Sequence, residues 1–189
     1  VRFDLATLEV RGDPVPLLEH VMAANNGVAT FANYAVSRQG TLIYVPGTAG
    51  GPTTGRSLVW VDRKGHEEPL NTPLRDFVDP RLSPDGTRVA IQITEGDIDI
   101  WSLDLARGAL TRLTFEKDDD ETPVWSSDGQ WIAYASGQEG NFQRSVYRRR
   151  ADGTGPRERL LEGRRHAHVD DWSHDGRVLL IKVSESALE

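Results

Sequence analysis

The sequence contains no cysteine. This absence excludes disulfide bonds, thiolate metal sites and a cysteine nucleophile, and it fits either the cytosol or a bacterial periplasm. No apolar run approaches the roughly 20 residues that cross a bilayer, so we expect no membrane insertion in this chain. Positive charge is also scarce, since 22 lysines and arginines face 29 aspartates and glutamates. The resulting acidic surface repels a phosphate backbone, so we expect no nucleic acid partner.

The arginines are concentrated in residues 148–165, where Glu158 and Glu162 separate them. This interleaving predicts a solvated outer strand rather than a polyanion site. The chain begins with Val1 instead of methionine and shows no signal peptide. We therefore expect it to be a piece or a processed product of a longer protein.

Four segments repeat one pattern of apolar strand, polar turn and second apolar strand. The turn glycines are Gly40, Gly86, Gly129 and Gly176, with spacings of 46, 43 and 47 residues. A serine stands three residues before each glycine, and an aspartate directly precedes three of the four. Such side chains bond nearby backbone amides, and glycine supplies the positive φ of a tight turn. The period is typical of one four-stranded propeller blade.

A second strand pair follows each complete repeat, in segments 57–74, 97–115 and 145–163. The chain starts with an outer strand pair that has no inner pair before it, and it ends with an inner strand pair that has no outer pair after it. The order of the blade halves along the chain is therefore permuted. The predicted units are residues 1–21, 28–75, 76–117, 118–165 and 166–184. The fold class is therefore all-β: a β-propeller of four-stranded antiparallel blades, with four blade equivalents and split halves at both termini. Helix content should be low, and only residues 16–27 could hold a turn or two.

The split halves need completion, because a lone two-stranded hairpin is marginal in water and exposes unpaired edges. Three arrangements provide it. The two halves can join within one chain as a four-bladed ring, two chains can form an eight-bladed ring as a homodimer, or the chain can be part of a larger propeller. Four-bladed rings are uncommon, so we favour the second or third arrangement.

Candidate site residues lie just before the first strand of each blade, where propeller ligands usually reach the central channel. Alignment on the turn serines brings four carboxylates to this place: Asp76, Asp79, Asp119 and Glu121. Oxygen-rich sets of this kind suit a hard cation such as Ca²⁺, although a solvated loop explains them as well. His166 and His168 share one face of an extended segment and are candidates for a general base or for a transition-metal site. Trp125 and Trp172 occupy one repeat position and should pack between blades.

The motif Ser-Pro-Asp-Gly at residues 83–86 and the related residues 124–134 resemble the WD-like repeat of TolB-type β-propellers. The amino-acid sequence at residues 3–5, 12–16, 40–47 and 58–63 is similar to that of the propeller region that follows the kinase domain in bacterial membrane-anchored Ser/Thr kinases. The resemblance implies an extracytoplasmic or periplasmic sensing or interaction module within a larger parent. It is specific for fold and weak for function, since propellers host binding modules and enzymes alike.

Two functions remain open at this point. The first is a non-catalytic binding or scaffold module that presents its channel mouth and rim to a protein or peptide partner. The alternative is a Ca²⁺-dependent hydrolase of lactones or small esters, such as an acyl-homoserine lactone. In that case Asp76, Asp79, Asp119 and Glu121 would hold the cation, and His166 or His168 would be the base.

Overall fold

The computed structural model describes residues 2–4, 9–11, 21, 23–25, 30–36, 42–46, 55–138 and 142–184. These residues form strands and turns without a helix, so no helix among them is long and apolar enough to cross a membrane. The strands build three four-stranded and three two-stranded antiparallel sheets. The predicted all-β class with four-stranded antiparallel blades is therefore confirmed.

The strands are, in chain order, β1 (Arg2–Asp4), β2 (Glu9–Arg11), β3 (Ala23–Asn25), β4 (Thr30–Ala32), β5 (Tyr34–Val36), β6 (Leu42–Tyr44), β7 (Val59–Val61), β8 (Glu67–Pro69), β9 (Phe77–Leu82), β10 (Arg88–Glu95), β11 (Asp97–Asp104), β12 (Ala109–Arg112), β13 (Asp119–Trp125), β14 (Trp131–Gly137), β15 (Gln143–Arg150), β16 (Glu158–Arg165), β17 (His168–Trp172) and β18 (Leu179–Lys182).

Each sheet is a meander in which a strand pairs with the next strand of the chain. The complete sheets are β5–β8, β9–β12 and β13–β16, and they are called the first, second and third sheets. Strands β17 and β18 form the last sheet, while β1 pairs with β2 and β3 pairs with β4. Strand β3 lies in the stretch considered for a helical turn, and the structure makes it extended instead. Its apolar–polar spacing was too short to decide between the two.

The three turns of the repeat that the structure describes have one geometry. The hydroxyls of Ser83, Ser126 and Ser173 donate to the aspartate two residues later at 2.6, 2.6 and 2.7 Å. The turn glycines have φ values of 72°, 68° and 72°. A side chain is strained in this left-handed region, which is why glycine recurs there. The turn of Gly40 lies outside the described residues.

The hydrophobic core lies between successive sheets, face to face. The first and second sheets bury a cluster that includes Ile43, Leu58, Phe77 and Ile91. The second and third sheets bury a cluster around Trp125, and the third and last sheets bury another around Val146 and Val169. This serial packing of sheet faces is the arrangement of propeller blades. It confirms the prediction that Trp125 is core, since its side chain is only 6% exposed.

A bulge interrupts the innermost strand of the second and third sheets at the same repeat position. Asp79 and Pro80 lie opposite Ile91, and Thr122 and Pro123 lie opposite Tyr134, so two residues face one. Asp79 and Thr122 adopt positive φ values of 53° and 54°. Residues other than glycine pay on the order of 1–3 kcal/mol for such a backbone, so surrounding contacts must hold it.

Side chains at this bulge position connect neighbouring sheets. The Asn33 side-chain oxygen accepts the backbone N–H of Asp79 at 2.5 Å. Two sheets further along, the Thr122 hydroxyl accepts the backbone N–H of Val169 at 3.2 Å. Asn33, Asp79, Thr122 and Val169 all stand four residues before a turn serine. The contact therefore follows the repeat, and it fixes the innermost strands of neighbouring sheets side by side.

Replacement of Thr122 tests this connection. Thr122→Val keeps the shape of the side chain but removes the acceptor, which leaves a partly buried N–H without a partner. We expect the free energy of unfolding in urea to fall by about 1–2 kcal/mol. Thr122→Asn is the matched variant, because asparagine keeps an acceptor and tolerates positive φ better than threonine. It should unfold at the wild-type denaturant concentration or above. Equal losses in both variants would contradict the assigned bond.

Candidate functional site

Five of the six predicted site residues lie on or next to the innermost strands, and each interacts electrostatically with at least one other of the five. They are called the inner cluster: Asp79, Asp119, Glu121, His166 and His168. Burial raises the pKa of Glu121, and the charges of Asp119 and Asp79 add to this effect; burial lowers the pKa of His168, and the charge of His166 adds to that effect. The repeat alignment therefore brought together residues that are far apart in the chain.

The carboxylates of the inner cluster contact arginines. Asp79 pairs with Arg81 at 2.9 Å, and Glu121 pairs with Arg144 at 3.3 Å. Arg144 also lies 4.0 Å from Asp119. Burial raises the pKa of Asp79 and of Glu121, and the neighbouring guanidinium groups oppose that effect. Each acid thus gains a positive partner in a setting where an unpaired charge would be costly.

Asp76 does not join the inner cluster. Its carboxylate pairs with the guanidinium group of Arg56, which also donates to the backbone oxygen of Phe77 at 3.2 Å. This pair ties the segment before β7 to the start of β9. The predicted site residue Asp76 is thus placed in a contact between the first and second sheets.

The two histidines of the inner cluster have different surroundings. The ring centre of His166 lies 4.6 Å from that of Phe142, with the two planes tilted by 39°, and the backbone φ of His166 is 47°. His168 is half-buried, and this burial, more than the charge of Lys182, lowers its pKa. A lowered pKa keeps the imidazole neutral near pH 7, which is the form that accepts a proton.

Among the described residues, no group of three or more histidine, aspartate or glutamate side chains has the geometry to hold a metal ion. The proposed Ca²⁺ ligands and the catalytic roles of His166 and His168 stay predictions. Thermal melting with calcium and with EDTA tests the first, because a tight site raises the midpoint of unfolding by mass action.

The acidic run 118–121 divides by strand alternation into three environments. Asp119 and Glu121 face Arg144, whereas Asp118 pairs with Arg157 at 3.2 Å. Asp120 is completely buried beneath the third sheet's inner edge. Burial raises its pKa to about 7, although the hydroxyls of Ser136 and Thr114 hold it down. A run that looked like a solvated loop therefore contains one of the most perturbed carboxyl groups of the chain.

A groove of about 430 Å³ opens at the other end of the innermost strands, where the repeat turns lie. It is called the turn-end groove. The residues directly before the four turn serines, Val36, Leu82, Trp125 and Trp172, all line it. Other residues that line it include Pro84, Arg81, Asp170, Asp171 and His174. Both tryptophans were predicted to be core residues, and the groove was not predicted, although the shared repeat position of Trp125 and Trp172 is the signal that could have identified it.

The indole of Trp125 is held firmly in the wall of the turn-end groove. Its Nε1 donates to the backbone oxygen of Arg81 at 2.9 Å. The guanidinium of Arg88 lies 4.8 Å from the centre of the indole and donates to the backbone oxygens of Gly129 and Ala151. These bonds join the second and third sheets at the groove.

The arginine-rich stretch contains the predicted solvated outer strand, since β16 lies at the outer edge of the third sheet and is mostly exposed, but Arg149 departs from that prediction. Arg149 in β15 is 9% exposed, and it donates to the backbone oxygen of Leu113 and to Glu116. The alternation of β15 turns this side chain toward the second sheet. Most other arginines of the stretch pair with nearby acids: Arg148 with Glu158, Arg150 with Asp152, Arg157 with Asp118 and Arg159 with Glu162.

Residues 72–188 match the protein family described as the TolB beta propeller domain, which is more than half of the chain. An uncharacterized protein of Agrobacterium fabrum is 30% identical over 154 residues, which are 79% of this chain and 49% of that protein. The chain thus spans about half the length of this curated relative.

Solved structures show the same fold at low identity. A putative TolB from Agrobacterium tumefaciens has a TM-score of 0.63 at 21% identity, over 80% of this chain and 58% of that one. TolB from Acinetobacter baumannii has a TM-score of 0.62 at 19% identity, over 80% and 38%. An oligogalacturonate lyase in complex with manganese has a TM-score of 0.62 at 17% identity, over 96% and 52%. TolB proteins and a lyase share this fold, so the fold alone does not decide the function.

The pH dependence of stability tests the burial of Asp120. Its pKa is raised from 3.8 to about 7 in the folded state, so folding favours the protonated carboxyl. The wild type should therefore lose stability as the pH rises from about 4 to about 7, and Asp120→Asn should not show this loss. We expect the free energy of unfolding of Asp120→Asn to be roughly 2–4 kcal/mol higher than that of the wild type at pH 8 and equal to it near pH 4.

Asp97→Asn is the control for this measurement, since Asp97 is an exposed carboxylate at the β10–β11 turn. Denaturant unfolding across this pH range gives the free energies of all three proteins. A constant difference between Asp120→Asn and the wild type at every pH would show that Asp120 does not titrate in this range.

Proposed function

Because the chain belongs to the TolB-type β-propeller family, we propose that it is a non-catalytic binding module that presents the turn-end groove to a protein or peptide partner. The observation that supports this proposal is the groove itself. It crosses four successive sheets at equivalent positions and combines an apolar floor with charged walls. Concave sites with an apolar lining and a few placed polar groups are the usual form of binding sites.

The contacts around the groove favour a rigid docking surface. Trp125 is fixed by its bond to Arg81 and by the guanidinium of Arg88, so its ring does not have to be ordered on binding. Preformed aromatic walls reduce the conformational entropy that a partner's binding would otherwise cost. Tryptophan and arginine are also the residues most often found where a few contacts dominate binding.

No contact among the described residues favours the alternative of a lactone or ester hydrolase. Asp79, Asp119 and Glu121 would supply oxygen ligands to calcium, but in this structure they contact Arg81 or Arg144. A cation would have to displace these guanidinium groups before it could polarise a carbonyl. Placement outside the cytoplasm is proposed from the family alone, and fractionation of cells that produce the parent protein would test it.

The last sheet supports the proposal that further strands complete it. Leu180 of β18 is 63% exposed, whereas Ala90 and Ala133, at the same repeat position of complete sheets, are fully buried. Two more strands and a following blade would cover this position. We propose that they come from the remainder of a longer propeller, with a second copy of this chain as the alternative. A monomeric mass at high micromolar concentration would exclude the homodimer, and a doubled mass would support it.

Blocking the turn-end groove tests the binding proposal. Val36 is 55% exposed and lines the groove, so Val36→Arg should fill it without disturbing the core. Peptides selected from a random displayed library against the wild type should bind this variant at least tenfold more weakly in fluorescence anisotropy.

Val178→Arg is the matched control, because Val178 is an exposed valine outside the groove. It should bind the selected peptides as the wild type does. The proposal fails if no peptide is enriched, or if Val36→Arg and the wild type bind the enriched peptides equally.

A further inference from the structure

The turn-end groove has two neighbouring carboxylates on one wall, from Asp170 and Asp171, and both side chains are exposed. Asp171 uses one oxygen to accept its neighbour's backbone N–H, that of Trp172, at 2.8 Å. Its second oxygen has no protein donor among the described residues. Asp170 lies near enough to the inner cluster for its charge to act on Asp79, whose pKa is raised mainly by burial, and to oppose the lowering of the His168 pKa, which is also caused mainly by burial.

The positive groups around the groove are already committed to other partners. Arg81 pairs with Asp79 at 2.9 Å, and Arg88 donates to the backbone oxygens of Gly129 and Ala151 at 3.2 and 3.1 Å. Lys182 does not line the groove, but it acts on Asp79 and His168 in the direction opposite to Asp170. Apart from His174, the exposed ionisable side chains that line the groove are therefore acidic, in a chain whose net charge is −7.

The apolar lining of the groove is called its floor, and each sheet contributes a side chain of different size to it. Val36, Leu82 and Trp172 lie at one repeat position, and Pro84 follows the turn serine of the second sheet. Of these residues, only Trp172 directly follows Asp170 and Asp171 in the sequence. An apolar group on the floor next to Trp172 would therefore be adjacent to a carboxylate.

We propose that the turn-end groove binds an extended polypeptide segment in which an apolar residue stands next to a lysine or arginine. The apolar side chain packs against Trp172 and Leu82, and the basic side chain lies against Asp171. This inference rests on the proposed binding function and adds the chemistry of its partner. The groove's course across successive sheets suits an extended chain, and the opposite charge of its exposed wall selects a basic one.

Three capped, fluorescently labelled hexapeptides test the proposal. One alternates leucine and lysine, the second has glutamate in place of lysine, and the third has serine in place of leucine. Fluorescence anisotropy should show binding of the leucine–lysine peptide, with at least tenfold weaker binding of the other two. Raising the salt concentration from 50 to about 300 mM should weaken the binding, because the attraction to Asp171 is exposed to solvent.

Asp171→Asn is the decisive variant, since asparagine keeps the acceptor for the Trp172 N–H and removes only the charge. We expect its affinity for the leucine–lysine peptide to fall at least fivefold, while Asp97→Asn, which removes an exposed charge elsewhere, leaves the affinity unchanged. Val36→Arg should abolish the binding. Circular dichroism of each variant confirms that the sheets are intact before binding is measured.

The outcomes separate this inference from the function on which it rests. If library peptides bind in a manner that Val36→Arg abolishes but the leucine–lysine peptide does not bind, the basic partner is wrong and the binding module stands. If the leucine–lysine peptide binds Val36→Arg as well as the wild type, the groove is not the site and both proposals fail. If argininamide binds as tightly as the peptide, the groove recognises a small cation and the inference of a polypeptide partner is overturned.

Discussion

The structure depends on one contact between neighbouring sheets, made where the innermost strand bulges. At Asp79 and Thr122 the backbone takes a positive φ, which turns a peptide group out of its own ladder. A side chain on the preceding sheet accepts the N–H of Asp79 or of Val169. Because this bond recurs at one repeat position, it aligns the innermost strands of the first and second sheets and those of the third and last sheets. The buried clusters between sheet faces then supply most of the stabilising apolar contact.

The same arrangement gives the inner strands two chemically different ends. Before the bulge, Asp119 and Glu121 lie against the guanidinium group of Arg144, and the imidazole of His168 is close enough to feel its charge. After the bulge, residues directly before the turn serines form an apolar groove. The position of a residue in the repeat therefore determines whether it lies at the charged end or at the apolar end of the innermost strands. The charged end is largely neutralised within the chain, whereas the turn end keeps exposed carboxylates beside an apolar floor, and it is there that we place the partner.

Much of the fold could be predicted because glycine, serine and aspartate have local reasons to recur in a tight turn. The same alignment brought five of six site residues together. It could not place Asp76, whose partner Arg56 lies in a preceding loop, nor identify Arg144 as the cation of the cluster. Such pairs depend on strand register, which shifts at each bulge. Likewise, the burial of Arg149 follows from the second sheet lying against its face of β15, and no local pattern encodes that.

Residue-resolved amide hydrogen exchange tests the contact between sheets most directly. The N–H groups of Asp79 and Val169 donate to side chains that belong to the preceding sheet. The account predicts that both exchange slowly, on the time scale of the amides in the centre of β14. Exchange of both at the rate of exposed turn amides would contradict it, because successive sheets would then lack the bond that aligns them.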